Sequence, residues 1–144
     1  MHLLKRSLNK KGVFIDANLF IYLNCMREEE NRRPYEDLYY NILRAHIAFT
    51  DLLVLDEVIW ISRKKYGVPY GVTLNFIRNA ILPYVNILPI DSMIIDSFLE
   101  ILVKYNLKPS DAIHVAVMLM HNIPMIVSED DDFDSIVEIK RIWL

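Results

Sequence analysis

Asp16 follows the apolar run Gly12-Val13-Phe14-Ile15, and Asp130 comes soon after a second one, Met125-Ile126-Val127. A carboxylate after such a run has two readings. It caps the next helix, satisfying free backbone N–H groups, or it stands at a strand end, where an open α/β sheet places its ligands. Asp111 begins the helical pattern Ser110-Asp111-Ala112-Ile113-His114-Val115-Ala116, where a first-turn acid also complements the helix dipole. Glu57 lies among Val54, Leu55, Val58 and Ile59, close to the apolar face of a helix, while Asp56 points about 100° away, toward solvent. In Glu129-Asp130-Asp131-Asp132 the acids repel one another unless they are solvated or meet a cation. Glu129 and Asp131 read as solvated, whereas Asp130 and Asp132 can face the same way. Two acids at strand ends and two on neighbouring helices make a candidate oxygen-donor site. Carboxylates without cysteine suit Mg²⁺ or Mn²⁺. Such a site orients water, lowers its pKa and stabilises charge on a phosphodiester, which favours phosphoryl chemistry.

The elements that must position these acids alternate along the chain. Strands are expected at Gly12–Ile15, Ile47–Phe49, Val85–Leu88 and Met125–Val127, with Ile139–Trp143 able to supply a fifth. Helical patterns run from Ala17 to about Arg27, from Pro34 through Leu43, from Leu52 to a stop at Gly67, from Val72 to Leu82, from Asp91 or Ser92 to about Tyr105, and from a Ser110 cap to about His121. Glu28 to Arg33 reads as an exposed charged loop ending at a helix-starting Pro34, and Thr50 or Asp51 as the cap of the third helix. Strands separated by helices need crossover connections, hence an α/β fold with a parallel sheet and helices on both faces.

Composition fits this outline. A length of 144 residues predicts a single domain with a substantial core, and 53% hydrophobic against 24% charged residues excludes a disordered chain. The apolar fraction is high enough to suggest a further buried surface between subunits. A net charge of −3 argues against a scaffold that simply grips nucleic acid, and less against a nuclease whose acids are neutralised by bound ions. One cysteine, Cys25, allows neither an internal disulfide nor a thiolate metal site. With no secretory pattern after Met1 and no apolar run near the ~20 residues of a membrane span, a cytoplasmic location is expected.

Taken in order, Phe14-Ile15-Asp16-Ala17-Asn18, Leu55-Asp56-Glu57-Val58, Ser110-Asp111-Ala112-Ile113-His114-Val115-Ala116 and Ile126-Val127-Ser128-Glu129-Asp130-Asp131-Asp132-Phe133 resemble the PIN domain. The likeness is greatest to the VapC-like toxin ribonucleases of toxin–antitoxin pairs, and it runs from about Val13 to Trp143. It implies a three-layer α/β/α fold with a central parallel sheet of four or five strands, and endonucleolytic cleavage of RNA with Mg²⁺ or Mn²⁺. It also implies a homodimer and an antitoxin partner. Asp16, Glu57, Asp111 and Asp130 take the places of the catalytic and metal-site acids. Asn18, Ser128 and Asp132 take supporting places, and His114 matches a packing and hydrogen-bonding position. The acidic run leaves the division of work between Asp130 and Asp132 open.

Other activities fit less well. A non-catalytic RNA- or protein-binding module of this type would lack one of the four acids, and none is missing. An RNA-processing nuclease outside a toxin–antitoxin pair shares the same residues. A phosphatase using Asp16 as nucleophile would have a second Asp where Asn18 stands. A receiver domain would have a paired acid before the first strand and a late lysine. Basic groups occur around Lys5 and at Lys10-Lys11, Arg32-Arg33 and Arg63-Lys64-Lys65; the last reads first as complementing the helix C-terminal dipole, with an RNA-backbone contact by Arg63 or Lys64 the lesser alternative. Tyr35, Tyr39 and Tyr40 read as apolar contacts rather than base-stacking groups.

Overall fold

The computed structural model describes residues 9–144, so the Lys5 group lies outside the described residues. Five short strands, β1 (Gly12–Ile15), β2 (Ile47–Asp51), β3 (Asn86–Leu88), β4 (Met125–Val127) and β5 (Lys140–Ile142), form one sheet of order β3-β2-β1-β4-β5. Every pairing is parallel, with Val13 opposite both Ala48 and Met125. The central strands are apolar on both faces: Val13, Phe14, Ile15, Ile126 and Val127 are fully buried, as expected of strands covered by helices on each side.

Six helices provide that cover: α1 (Ala17–Cys25), α2 (Glu29–Ala45), α3 (Leu52–Tyr66), α4 (Tyr70–Phe76), α5 (Ile95–Tyr105) and α6 (Pro109–Met120). Contacts group α1 with α2 and α3, and α5 with α6. The chain moves outward from β1 to β2 and β3, then returns across the sheet to β4. With right-handed crossovers, that reversal puts the two groups on opposite faces and makes the β1/β4 boundary the switch point of the sheet. No helix among the described residues is long and apolar enough to cross a membrane.

Several expected boundaries move, each for a local reason. Glu28 to Arg33 is not a loop, and Pro34 does not start its helix: α2 begins at Glu29 and contains Pro34. The charges read as solvated are arranged as i,i+4 partners, Glu29 with Arg33 at 3.0 Å and Arg32 with Glu36, and Glu29 and Glu30 complement the dipole. These interactions offset the hydrogen bond that Pro34 cannot donate to the Glu30 carbonyl. Ser110 is not the cap of α6; the helix starts at Pro109, whose fixed φ suits the first turn. The helix expected over Val72–Leu82 is the α-helical segment α4 followed by a π-turn at Ile77–Ile81.

Other signals hold. Asp51, rather than Thr50, caps α3 by accepting from Val54 N at 3.0 Å, while Thr50 donates to the Ile15 carbonyl at 2.9 Å. Gly67 ends α3 in the left-handed region, at φ 69°, where a side chain costs roughly 1 kcal/mol. Tyr39 donates to the Ala80 carbonyl at 2.6 Å and meets Phe20 edge-on. Tyr35 packs against Tyr22 and Trp143, and Tyr40 is exposed.

Candidate active site

Beyond the carboxyl ends of β1 and β4, a cavity of about 260 Å³ is lined by Asp16, Asn18, Glu57, Lys108, Ser110, Asp111, Glu129 and Asp130. It therefore sits at the switch point, where helices diverge and a parallel sheet leaves space for a ligand. Asp16 and Asp111 are buried, Asp130 is intermediate and Glu57 is open to solvent.

Asp16 caps α1 and stands at the end of β1. One carboxylate oxygen accepts from Ala17 N at 2.8 Å and caps α1; the other accepts from Ser128 Oγ at 2.7 Å. Ser128 Oγ in turn accepts from Asp130 N at 3.1 Å. One buried hydroxyl thus ties the end of β1 to the loop after β4. Arg141 reinforces that loop, with Nη1 donating to the Ser128 carbonyl at 3.2 Å and its guanidinium fork closing on Asp134.

Asp132 is not brought into the cavity. Its backbone N donates to the Asp130 carboxylate at 2.9 Å, and it lines a neighbouring hollow with Asp131, Tyr105 and Asn106. A 3₁₀ turn begins at Asp131, and the carboxylates of Asp130, Asp131 and Asp132 stay within 4.8 Å of one another, with Asp132 outside the cavity lining.

Glu129, set aside as solvated, lines the cavity and accepts from the Tyr22 hydroxyl. Nothing local in the acidic run distinguishes it, because its partner is 107 residues earlier. Lys108 and Ser110 also line the cavity; the early start of α6 leaves Ser110 free to do so. Behind the wall, His114 Nδ1 meets Asp51 Oδ2 at 2.7 Å, with both side chains buried. Asp51 was legible only as a helix cap.

Burial is the chief cause that pushes the Asp111 carboxyl up to about 6, followed by the charges of Asp16 and Asp130; His114 and Lys108 pull it back. Glu57 is raised for the same first two reasons, burial and then Asp16, with its solvent access limiting the effect. At His114 burial lowers the imidazole pKa, but the Asp51 hydrogen bond and charge, with Asp16 and Asp111, leave it raised.

This clustering has a stability consequence. The folded pKa of Asp111 lies above its unfolded value, so the folded state favours the proton and stability falls as pH rises from about 4 through about 6. Without divalent ions, Asp111→Asn should therefore be more stable than wild type at pH 7.5, by on the order of 2 kcal/mol less a few tenths for the lost first-turn charge. The gain should vanish near pH 4. Thermal unfolding in EDTA at the two pH values measures it, and a destabilised variant at pH 7.5 would refute the electrostatic account.

The donor set fits a hard divalent cation. Asp16, Asp111 and His114 each offer a ligand atom within 4.8 Å of the others, and positive charge would relieve the crowding that raises Asp111 and Glu57.

A PIN domain model matches residues 13–139. No curated protein matches the sequence. Among solved structures, the VapC20 toxin of Mycobacterium tuberculosis, described as cleaving the sarcin–ricin loop, superposes with TM-score 0.68 at 16% identity, covering 85% of this chain and 93% of that one. VapBC2 from Rickettsia felis, bound to a promoter DNA fragment, gives 0.67 at 13% identity over 91% and 97%. A toxin–antitoxin complex from Klebsiella pneumoniae gives 0.66 at 22% identity over 89% and 95%. With its parallel sheet in the order β3-β2-β1-β4-β5 and its acids at the switch point, the chain belongs to the PIN domain family.

Proposed function

We propose that the protein is a metal-dependent endoribonuclease that hydrolyses RNA phosphodiester bonds as the toxin of a toxin–antitoxin pair. The observation behind this reading is the convergence of Asp16, Glu57, Asp111 and Asp130 on one small polar cavity from four separate elements. These four would hold Mg²⁺ or Mn²⁺. When bound, the ion supplies an acidified water and charge stabilisation for the phosphodiester.

The chain's own residues set the geometry. Ser128 fixes the Asp16 carboxylate, and Tyr22 fixes Glu129 at the rim. Asn18 presents an amide to the cavity, and Lys108 an ammonium suited to a phosphate oxygen. The Asp51–His114 pair positions α6, and so Asp111, against the end of β2.

Partners follow from surfaces and relatives. A groove lined by Leu52, Leu55, Ile59, Leu74, Ile87 and Ile90 beside edge strand β3 is apolar, and Leu52 is 68% exposed. This supports a homodimer. The Rickettsia and Klebsiella structures are of toxin–antitoxin assemblies, which supports an antitoxin partner here. The lone buried cysteine and the absence of a membrane-spanning helix among the described residues fit action in the cytoplasm.

Purified protein should cut RNA in Mg²⁺ or Mn²⁺ and lose all cleavage in EDTA, with activity returning when the ion is restored. Cleavage that persists in EDTA would exclude the metal site. A gel-resolved digest of total RNA with end mapping reads both results.

A further inference from the structure

An acidic cavity repels the polyanion it is proposed to cut, so the substrate needs cations outside the cavity. Helix α3 supplies them in a particular setting. Glu57 lines the cavity, and Trp60 and Lys64 follow it at i+3 and i+7, on the same face and within about 10 Å along the axis. Three consecutive cations then each lie over an aromatic ring: Arg63 over Tyr70 at 4.4 Å, Lys64 over Trp60 at 5.7 Å and Lys65 over Tyr66 at 5.5 Å.

The rings are accessible, Trp60 being 51% exposed and Tyr70 40%. Among the described residues none of these three cations makes an ion pair, whereas Arg32, Arg33 and Arg141 are engaged by acids. Dipole complementation accounts for cations at the end of α3 but not for an indole left open beside them.

Resting on the ribonuclease reading, we propose that the C-terminal half of α3 is a docking track for single-stranded RNA flanking the scissile phosphodiester. Unstacked bases lie on Trp60 and Tyr70, and Arg63 and Lys64 meet the phosphates. An aromatic face accepts a base only when that base is free of its own neighbours, so the track favours single strands over duplex. Cations alternating with rings are suited to binding along a strand without reading its sequence.

Binding is measured with a fluorescent, mixed-sequence single-stranded RNA in Mg²⁺, in an Asp16→Asn background that leaves the RNA uncut. Trp60→Ala should weaken binding about tenfold. Arg63→Gln with Lys64→Gln should lower the salt slope of the affinity by about 1.4. In the active protein the same changes should raise KM and leave kcat nearly unchanged. Unaltered affinity and KM in both variants would overturn the track. So would a Trp60→Ala variant that changes its sedimentation behaviour but not its RNA affinity, since the patch would then be a protein interface. If wild-type protein cuts no RNA while Trp60→Ala still loses RNA affinity, the nuclease reading fails and the track stands.

Discussion

Asp16→Asn should fold normally and lose RNA cleavage by about a thousandfold or more. The substitution is nearly isosteric. The amide oxygen still accepts from Ala17 N, and the new NH₂ faces Ser128, whose hydroxyl reorients to accept it. What disappears is a carboxylate at the junction of β1 and α1, and with it a proposed metal ligand; a bound ion would supply several kcal/mol of transition-state stabilisation. Asp111→Asn should lose activity to a similar degree. Asp111→Asn is in addition expected to gain stability without divalent ions, because it replaces a carboxyl raised by burial. Single-turnover cleavage with circular dichroism separates chemistry from folding. Wild-type rates in both variants would sink the site assignment.

Asp51→Ala should be the most damaging single change to stability, at about 3–5 kcal/mol. Asp51 is fully buried and has two jobs: it caps α3 through Val54 N and holds His114 at 2.7 Å. Loss of the cap accounts for about 1 kcal/mol. The larger part comes from stranding a buried imidazole without its partner. A fall in unfolding temperature of roughly 10 °C or more is expected. Asp51→Asn keeps an acceptor for Val54 N and should recover much of the loss. A variant Asp51→Ala within 1 kcal/mol of wild type would show that the pair is dispensable to the fold.

The residues legible in the sequence were those whose signal is local. Val13-Phe14-Ile15 is apolar on both faces because β1 is central, so its burial and the acid at its end stand out together. Asp51, Gly67 and Asp91 carry the marks of caps and stops, and each sits at a helix boundary. Glu129 is exposed, as its solvated reading has it, but its place at the cavity rim depends on Tyr22; Lys108 was not singled out, because a cation before a proline looks like any surface lysine. Pro34 misled because its usual place is the first turn, while the ion pairs that keep α2 continuous around it span four residues. The direction of Asp132 depended on a 3₁₀ turn that has no strong composition. The family resemblance named four acids that all line one cavity, but it left open which member of the acidic run enters it; Asp130 lines the cavity and Asp132 does not.

The hydroxyl that joins Asp16 to the loop after β4 spans 112 positions of chain. During synthesis at ordinary rates, roughly ten seconds separate the two residues as they leave the ribosome. Until β4 slides in beside β1, Asp16 has neither Ser128 nor Asp130 next to it. The proposed cutting centre therefore cannot assemble on a nascent chain that ends before β4.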